Sequence, residues 1–471
     1  MIKWSSVAVL FVIYYILVCF ILPLNDIESA MRFKVGETTI YLFCLIYCVI
    51  FFWFLSALES FQIEERRILD LIFGFFLGSV CVNLISGLMG GIFTILSPRR
   101  VFALFLLAVF LESLLGLFWI LFNSRVYEKV QFCREAVFIY GSREDETEYT
   151  RFNSMINRFF QISRSVEYQA GMDAILEAIQ TTSVVFLGDI PVEIRNPLIK
   201  YCMSKGIACY SIPKISDIYI QNASVMQLHD KLLLRYPKLE ITGAQKAVKR
   251  LMDILVSLLM LALFSPVMAV IAIAVKLDDA GPVFYFQDRV TQGGRPFRMY
   301  KFRSMKTDAE KDGIRMTVRQ DARVTRVGRV IRNIHFDELP QLVNVLKGEM
   351  SLVGPRPERM EYIRAYAGRI PEFPERLRVR GGLTGYAQVY GRYNTEPEDK
   401  IKYDLYYIYN YSLRMDVKIL LLTIRILFQK ENTEGVDEND WVNPVGSAAD
   451  HEAEDDESER SSAKRDDSKK E

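Results

Sequence analysis

Several common catalytic signatures are missing from this chain of 471 residues. Its three histidines are scattered, so a histidine-based metal site is not expected. The seven cysteines form no C-x-x-C pair, and four of them lie in apolar segments, where small buried thiols are the ordinary expectation. The lack of a G-x-x-x-x-G-K-[ST] loop disfavours a P-loop kinase. No signal-peptide cleavage site is apparent, so we expect the first apolar run to remain as an anchor.

Apolar sequence is abundant instead. The chain is 51% hydrophobic and 13% aromatic, which is high for a purely soluble protein. The formal net charge of +1 says little, because the charges are segregated. The first third is apolar, the middle of the last third is basic, and the end carries mixed charge. This composition favours a membrane protein, and we expect no nucleic-acid partner.

Residues 1–125 contain four runs that are long enough to cross a bilayer. They are Ser5–Leu24, Thr39–Leu58, Ile68–Leu96 and Val101–Phe122. Basic residues after the second and fourth runs favour a cytoplasmic N-terminus, although Arg99 and Arg100 in the third loop count against it. We therefore predict four transmembrane helices that return the chain to the cytoplasmic side.

Two polar residues, Asn83 and Glu112, fall inside these runs. Such residues can mark an ion or substrate path, or they can form a hydrogen bond between helices. The hydrogen bond between helices is the favoured interpretation, because a single acid cannot form a relay along an ion or substrate path.

Residues 126–240 change to the pattern of a soluble α/β domain. Ala136–Tyr140, Ser183–Leu187 and Ile207–Ile212 read as strands, and 191–204 reads as a helix. This order predicts a Rossmann-like parallel sheet. The turn at Gly141 lacks the G-x-G-x-x-G spacing of a dinucleotide site, so a scaffold or regulatory role is favoured over cofactor binding.

A further apolar segment, 246–276, is interrupted by Ser265 and Pro266. Proline kinks a helix, and the strongly basic sequence that follows resists translocation. Both facts favour a re-entrant helix that enters and leaves by the cytoplasmic face. A straight fifth crossing is the alternative.

The adjacent acids Asp337 and Glu338 follow this basic stretch. Most such pairs lie on a solvated helix face. Here Arg329, Arg332 and Arg356 surround the pair in sequence, and cations beside a carboxylate pair suit a diphosphate substrate with a divalent metal. One acid could then attack phosphorus while the other holds the metal.

At these residues the sequence resembles the bacterial sugar transferases, a family of monotopic polyprenyl-phosphate hexose-1-phosphate transferases. The resemblance covers about 243–430, and the complete chain resembles the large subgroup with four spanning helices and an α/β domain. Its blocks are Ser265-Pro266, Gly281–Phe284, Tyr300–Met305, Thr325–Arg329, Asp337–Leu342, Asn344–Met350, Gly354–Pro357, Gly382–Gln388 and Gly391-Arg392. The chain departs from the usual pattern at Ile334-His335-Phe336, Tyr386 and Tyr390.

The resemblance implies a phosphoglycosyl transferase. Asp337 would be the nucleophile that forms a phosphosugar-enzyme intermediate, and Glu338 would bind Mg²⁺. The enzyme would transfer a sugar phosphate from a UDP-sugar to polyprenyl phosphate and release UMP, as the first membrane step of a capsule, exopolysaccharide or O-antigen. The expected substrate-binding residues are Lys301, Arg303, Arg329, Arg332, Arg356, Gln388 and Arg392.

Two other classes stay open on the residues alone: a non-catalytic membrane scaffold, and a different phosphoryl-transfer enzyme such as a lipid phosphatase. The predicted architecture is a transmembrane bundle (1–125), an α/β domain (126–240), a mainly helical catalytic domain on the cytoplasmic face of the inner membrane (241–435), and a disordered tail (436–471). The aromatic segment 403–430 suits a helix that lies in the membrane interface, and a core helix is the alternative. A homodimer is possible.

Overall fold

The protein has a mixed helical and sheet fold. Its computed structural model describes residues 37–62, 68–93, 98–130, 134–141, 160–236, 241–279, 281–306, 321, 323–391 and 395–426. The chain divides into two compact units, Met1–Pro213 and Lys214–Glu471. The division lies inside the segment 126–240, which the sequence assigned to a single domain.

The first unit begins with apolar helices. They are α1 (Glu37–Ala57), α2 (Ile68–Phe93) and α3 (Pro98–Val130). By length and composition, segments of α2 and α3 could each cross a membrane, and α1 contains a shorter apolar segment. The first predicted run, Ser5–Leu24, lies outside the described residues.

Glu112 of α3 joins all three of these helices through hydrogen bonds. Its carboxylate accepts hydrogen bonds from Tyr47 of α1, and from Ser79 (2.6 Å) and Asn83 (2.6 Å) of α2. The residue is buried together with its donors. This cluster agrees with the helix-to-helix interpretation of Asn83 and Glu112.

The described residues 134–141 and 160–211 of the first unit form a parallel four-stranded sheet with its helices. Its elements are β1 (Arg134–Tyr140), β2 (Phe160–Glu167), α4 (Met172–Ile179), β3 (Val184–Leu187), α5 (Val192–Lys205) and β4 (Ala208–Ser211). The strand order is β2-β1-β3-β4, in parallel pairs throughout. The sheet agrees with the Rossmann-like prediction. The sequence analysis missed β2 and α4, because β2 is largely exposed and polar.

The second unit consists of short elements around one long helix. They are α6 (Ile215–Gln221), β5 (Ser224–Leu228), β6 (Lys231–Arg235), α7 (Gly243–Asp278), β7 (Phe284–Val290), β8 (Pro296–Phe302), α8 (Arg326–Asn333), α9 (Gln341–Lys347), β9 (Ser351–Val353), α10 (Met360–Arg369), β10 (Gly382–Thr384), α11 (Tyr386–Tyr390), α12 (Pro397–Tyr409) and α13 (Leu413–Ile426). Among the described residues of this unit, the strands form two antiparallel hairpins, β5-β6 and β7-β8, and the parallel pair β9-β10.

Helix α7 starts with a capping box, in which Thr242 and Gln245 bond each other's backbone N–H groups. It is the third described helix that could cross a membrane by length and composition. Pro266 lies inside the helix. Toward its end, Ile271 and Val275 pack against Phe302 and Ile331, which brings α7 next to β8 and α8.

The aromatic segment 403–430 differs from its prediction. The segment contributes to two helices, α12 and α13, rather than one, and Leu405, Tyr407 and Ile408 of α12 are buried in the protein. Among the tyrosines of α12, Tyr407 is buried, whereas Tyr403, Tyr406 and Tyr409 are partly exposed. For α12 this burial agrees with the alternative, a core helix, rather than with the interfacial helix.

Candidate active site

The acid pair lies in a short 3-10 helix, Phe336–Glu338, directly after α8. Leu339 and Pro340 continue the chain into α9. On the other side, His335 turns the chain between the two helices in a left-handed conformation, with φ 56°. The tight turn holds Asp337 and Glu338 at a helix start, where both carboxylates can serve one site.

Two cationic side chains form ion pairs with Glu338. Its carboxylate accepts a hydrogen bond from Lys301 Nζ at 3.0 Å and bonds from both terminal nitrogens of Arg356, one of them at 3.3 Å. Burial opposes the charge of Glu338, but Arg356 and Lys301 outweigh it and hold the pKa of this carboxyl well below its usual range. The Glu338 carboxylate is therefore negatively charged at neutral pH.

Asp337 is only 9% exposed, and the pKa of its carboxyl shifts in the opposite direction to that of Glu338. Burial, followed by the negative charge of Glu338, raises the pKa of Asp337 to about 6, against the opposing effects of Lys301, Arg332 and Arg356. The two neighbours thus differ in proton affinity. Such divergence is a frequent mark of a functional carboxylate pair.

Lys301 is positioned by the neighbouring Asn344 of α9. The Asn344 side chain accepts a hydrogen bond from the Tyr300 N–H at 3.0 Å and donates one to the Arg298 carbonyl at 2.7 Å. Asn344 is completely buried. These bonds fix β8 against α9, so the lysine that follows Tyr300 faces the acid pair.

Arg356 is carried by a tightly built turn after β9. Gly354 N donates to Thr384 O at 2.9 Å, and Gly382 N donates to Pro355 O at 2.8 Å. A Cβ on Gly354 would lie 2.4 Å from the Arg380 carbonyl oxygen, so only glycine fits there. The strands β9 and β10 therefore hold the turn rigidly.

A buried ion pair that the sequence analysis missed supports the same turn. Arg376 Nη2 lies 2.8 Å from Asp404 Oδ2 and donates to the Arg356 carbonyl at 3.2 Å. Burial raises the pKa of Asp404 to about 6, although Arg376 acts to lower it. No sequence signal marked this pair, because its partners lie far apart on different elements.

The start of α7 is bonded to the base of this turn. Asp253 accepts hydrogen bonds from Ser351 Oγ (3.1 Å) and Leu352 N (3.0 Å), and Lys249 donates to Val353 O (3.0 Å). Asp253 is 1% exposed. Charged groups of the apolar helix thus hold β9 immediately before Arg356.

The end of α7 is bonded to the other side of the site. Asp278 accepts a hydrogen bond from Val327 N at 3.0 Å, at the first turn of α8. Arg303 bonds the Asp279 carbonyl and lies 3.6 Å from its carboxylate. The structure thus places Arg303 at the end of α7, and its contact with a phosphate stays a prediction.

The remaining candidate residues are distributed around this centre. Arg332 acts electrostatically on Asp337, whereas Arg329 is exposed on α8. Gln388 Nε2 donates to the Leu383 carbonyl at 3.3 Å. Ser265 Oγ donates to the Ala262 carbonyl at 3.0 Å, within α7 and just before Pro266. Arg392 lies outside the described residues.

The donor set at the acid pair fits a magnesium ion bound together with a diphosphate. In the described part of the chain, no group of three or more His, Cys, Asp or Glu side chains could hold a metal. Mg²⁺ commonly takes only one or two carboxylates and completes its shell with waters and substrate phosphates. Asp337 and Glu338 supply that number of carboxylates, and Glu338 is the one that would hold the ion if Asp337 attacks phosphorus.

The comparison with known proteins agrees with this geometry. The family model described as bacterial sugar transferase matches residues 244–430. A UDP-glucose:undecaprenyl-phosphate glucose-1-phosphate transferase of Caulobacter vibrioides is 43% identical over 189 residues, which is 39% of this chain and 71% of the relative. This chain belongs to the bacterial sugar transferase family.

Two other relatives of this sugar transferase carry related names. The UDP-N-acetylgalactosamine-undecaprenyl-phosphate N-acetylgalactosaminephosphotransferase of Aeromonas hydrophila is 42% identical over 229 residues, 48% of this chain and 53% of the relative. The undecaprenyl-phosphate glucose phosphotransferase of Komagataeibacter xylinus is 34% identical over 312 residues, 61% of this chain and 58% of the relative. The chain spans about half the length of these two relatives. The sugars in the names of the relatives differ.

Proposed function

We propose that this sugar transferase moves a sugar 1-phosphate from a UDP-sugar to undecaprenyl phosphate. The products would be undecaprenyl-diphosphate-sugar and UMP, and the reaction would be the first membrane step in building a capsule, exopolysaccharide or O-antigen. The observation that carries the proposal is the pairing of a buried Asp337 with Glu338, beneath Lys301 and Arg356.

In the first half of the reaction, an Asp337 carboxylate oxygen attacks the phosphorus that bears the sugar. The bond from this phosphorus to the bridging oxygen of the diphosphate breaks, and UMP leaves with that oxygen. The product is an acyl phosphate between Asp337 and the sugar phosphate. Burial of Asp337 favours attack, because a poorly solvated carboxylate is the stronger nucleophile.

In the second half, an oxygen of the lipid phosphate attacks the same phosphorus. The bond to Asp337 breaks, the diphosphate bond to the lipid forms, and the carboxylate is restored. Lys301 and Arg356, which bond Glu338 beside the nucleophile, would neutralise phosphoryl oxygens in both halves. A Mg²⁺ ion held by Glu338 would supply further neutralisation of the diphosphate charge.

The lipid phosphate reaches this centre from the membrane, and the contacts of α7 support a re-entrant path. Its first part bonds β9 through Lys249 and Asp253. Its last residue, Asp278, bonds α8, and the following Asp279 bonds Arg303. A straight crossing would place the two ends of α7 on opposite sides of the bilayer. One compact unit holds both ends, which favours a single face of the membrane.

The proposal is tested with purified enzyme in nanodiscs that contain undecaprenyl phosphate. UDP-glucose, UDP-galactose and their N-acetylated forms are supplied singly, and UMP and the lipid product are measured. We expect UMP and lipid-linked sugar in equal amounts with at least one donor. Release of inorganic phosphate instead would indicate a phosphatase, and inactivity with every donor would indicate a scaffold.

A further inference from the structure

His335 stands out among the residues next to the acid pair. It is one of three residues other than glycine with positive φ in the described part of the chain, at 56°. Its N–H donates to the Arg332 carbonyl at 3.1 Å, which ends α8, and its own carbonyl accepts from Glu338 N at 3.3 Å. A turn of this kind normally uses glycine or asparagine, because a larger side chain strains the left-handed backbone. The geometry of the turn therefore does not explain why a histidine occupies this position.

The imidazole also has an unused polar atom. Nδ1 of His335 is shielded from solvent, and no hydrogen-bond partner for it lies among the described residues. Buried polar atoms nearly always have a partner, so an exception calls for an explanation such as a ligand. Backbone strain and an unused nitrogen thus coincide two residues before Asp337.

The surroundings of His335 suit an anionic ligand. Glu338, Arg356, Lys301 and Arg332 all lie close enough to act on its imidazole electrostatically. Three of these four groups are cations, and Lys301 and Arg356 are the ones that meet Glu338. Phosphate oxygens only accept hydrogen bonds, so a ring nitrogen that bonds one of them must carry a proton.

We propose that His335 is a substrate-contacting residue, whose Nδ1–H donates a hydrogen bond to a phosphoryl oxygen of the sugar nucleotide diphosphate. This inference rests on the proposed function. The bond would stabilise negative charge on the diphosphate as UMP leaves, and it would add a third donor beside Lys301 and Arg356.

Two substitutions separate this contact from the strain of the turn. Both His335→Asn and His335→Gly suit left-handed backbone. Asparagine keeps an amide hydrogen close to the position of Nδ1, whereas glycine removes every side-chain donor. His229 provides the matched control, because it is a second histidine with φ 55°, in the exposed turn between β5 and β6.

The measurement is the rate of UMP release in a single turnover without acceptor lipid. We expect His335→Gly to lower this rate by about 10- to 100-fold, the effect of losing one hydrogen bond to a charged group. His335→Asn should stay within about 3-fold of wild type, as should His229→Gly, since its turn carries no part of the site. Added imidazole should restore part of the rate to His335→Gly, and none to Asp337→Asn.

A wild-type rate in His335→Gly, or equal losses in the glycine and asparagine variants, would overturn the proposal. If His335→Gly does not fold, His335→Asp replaces it, because aspartate matches asparagine in shape but donates no hydrogen at neutral pH. Equal rates in the Asp and Asn variants would then overturn it. Failure of the proposed function shows differently, since the wild type itself would release no UMP.

Discussion

The ring of Phe264 meets the ring of Phe336 edge to face, with 5.9 Å between their centroids. Phe264 immediately precedes Ser265 and Pro266 in α7, and Phe336 immediately precedes Asp337. The middle of the apolar helix is therefore in direct contact with the residue beside the proposed nucleophile. A lipid phosphate that follows α7 out of the membrane would arrive at the acid pair.

The nucleophile is tested by Asp337→Asn, which keeps the shape of the side chain but removes its negative charge. We expect turnover to fall by at least about 10³-fold, as for other covalent nucleophiles. Wild-type enzyme incubated without acceptor should carry a sugar phosphate on the peptide that contains Asp337, detectable by mass spectrometry. Asp288→Asn, on the exposed face of β7, is the control and should remain active. An adduct on any other residue would refute the assignment.

The pH dependence of adduct formation follows from the pKa of Asp337, which burial raises to about 6. A raised pKa keeps the acid protonated up to a higher pH, so the nucleophile is lost as pH falls through about 6 and is fully present above it. The rate of UMP release should therefore fall about tenfold per pH unit below this point. Acceptor lipid is omitted, because the second ionisation of a phosphomonoester also lies near pH 6. A rate unchanged from pH 8 to pH 5 contradicts the prediction.

Magnesium dependence is the next expectation. EDTA should abolish activity and added Mg²⁺ should restore it, because two carboxylates facing a diphosphate need a cation. Glu338→Gln should lower the rate and raise the Mg²⁺ concentration needed for half-maximal activity. Glu361→Gln, at an exposed position at the start of α10, should change neither quantity. Full activity in EDTA would exclude this role.

The sequence predicted the residues of the candidate site better than the contacts that hold those residues in place. The acid pair and its cations Lys301 and Arg356 could be predicted, because they lie in compact blocks with a strong resemblance to one family. The bonds of Asp253 to β9, and of Arg376 to Asp404, could not. Each joins residues that are distant in sequence, and a charged residue by itself does not reveal which partner folding brings to it.

The same reasoning explains the differences in secondary structure. Apolar runs predicted α2 and α3 because a membrane segment is encoded locally. Strand β2 and the hairpin β5-β6 depend on pairing with a neighbouring strand, so their exposed residues carry no clear alternation.

The support of Arg356 can be tested through Asp404→Asn, which leaves the Arg376 guanidinium buried without a full counter-charge. Removing one partner of a buried ion pair typically costs about 3–5 kcal/mol, so the thermal unfolding midpoint should fall clearly. Activity should fall too, because Arg376 also bonds the Arg356 backbone. Asp399→Asn is the control on the same helix. It breaks an ion pair in which Asp399 is 43% exposed, and it should cost no more than about 1 kcal/mol. Equal midpoints for the two variants, at one heating rate, would contradict this account.

The topology of α7 decides where the chemistry takes place. In a background without native accessible thiols, Ala244→Cys at the start of the helix and Leu277→Cys near its end should both react from the cytoplasmic face. Leu277 is 82% exposed, so its replacement should leave the packing of the site intact. Labelling from opposite faces would refute re-entry.

The companion variant is Pro266→Leu, which restores a backbone N–H within α7 and removes the ring that kinks a helix. Some molecules should then insert across the bilayer, which would separate one end of α7 from the unit that now holds both ends. In those molecules the two cysteines should label from opposite faces. Activity should fall in proportion to their fraction, because a site carried outside has no access to cytoplasmic UDP-sugar. A loss of activity with unchanged labelling would instead assign Pro266 a role within the site.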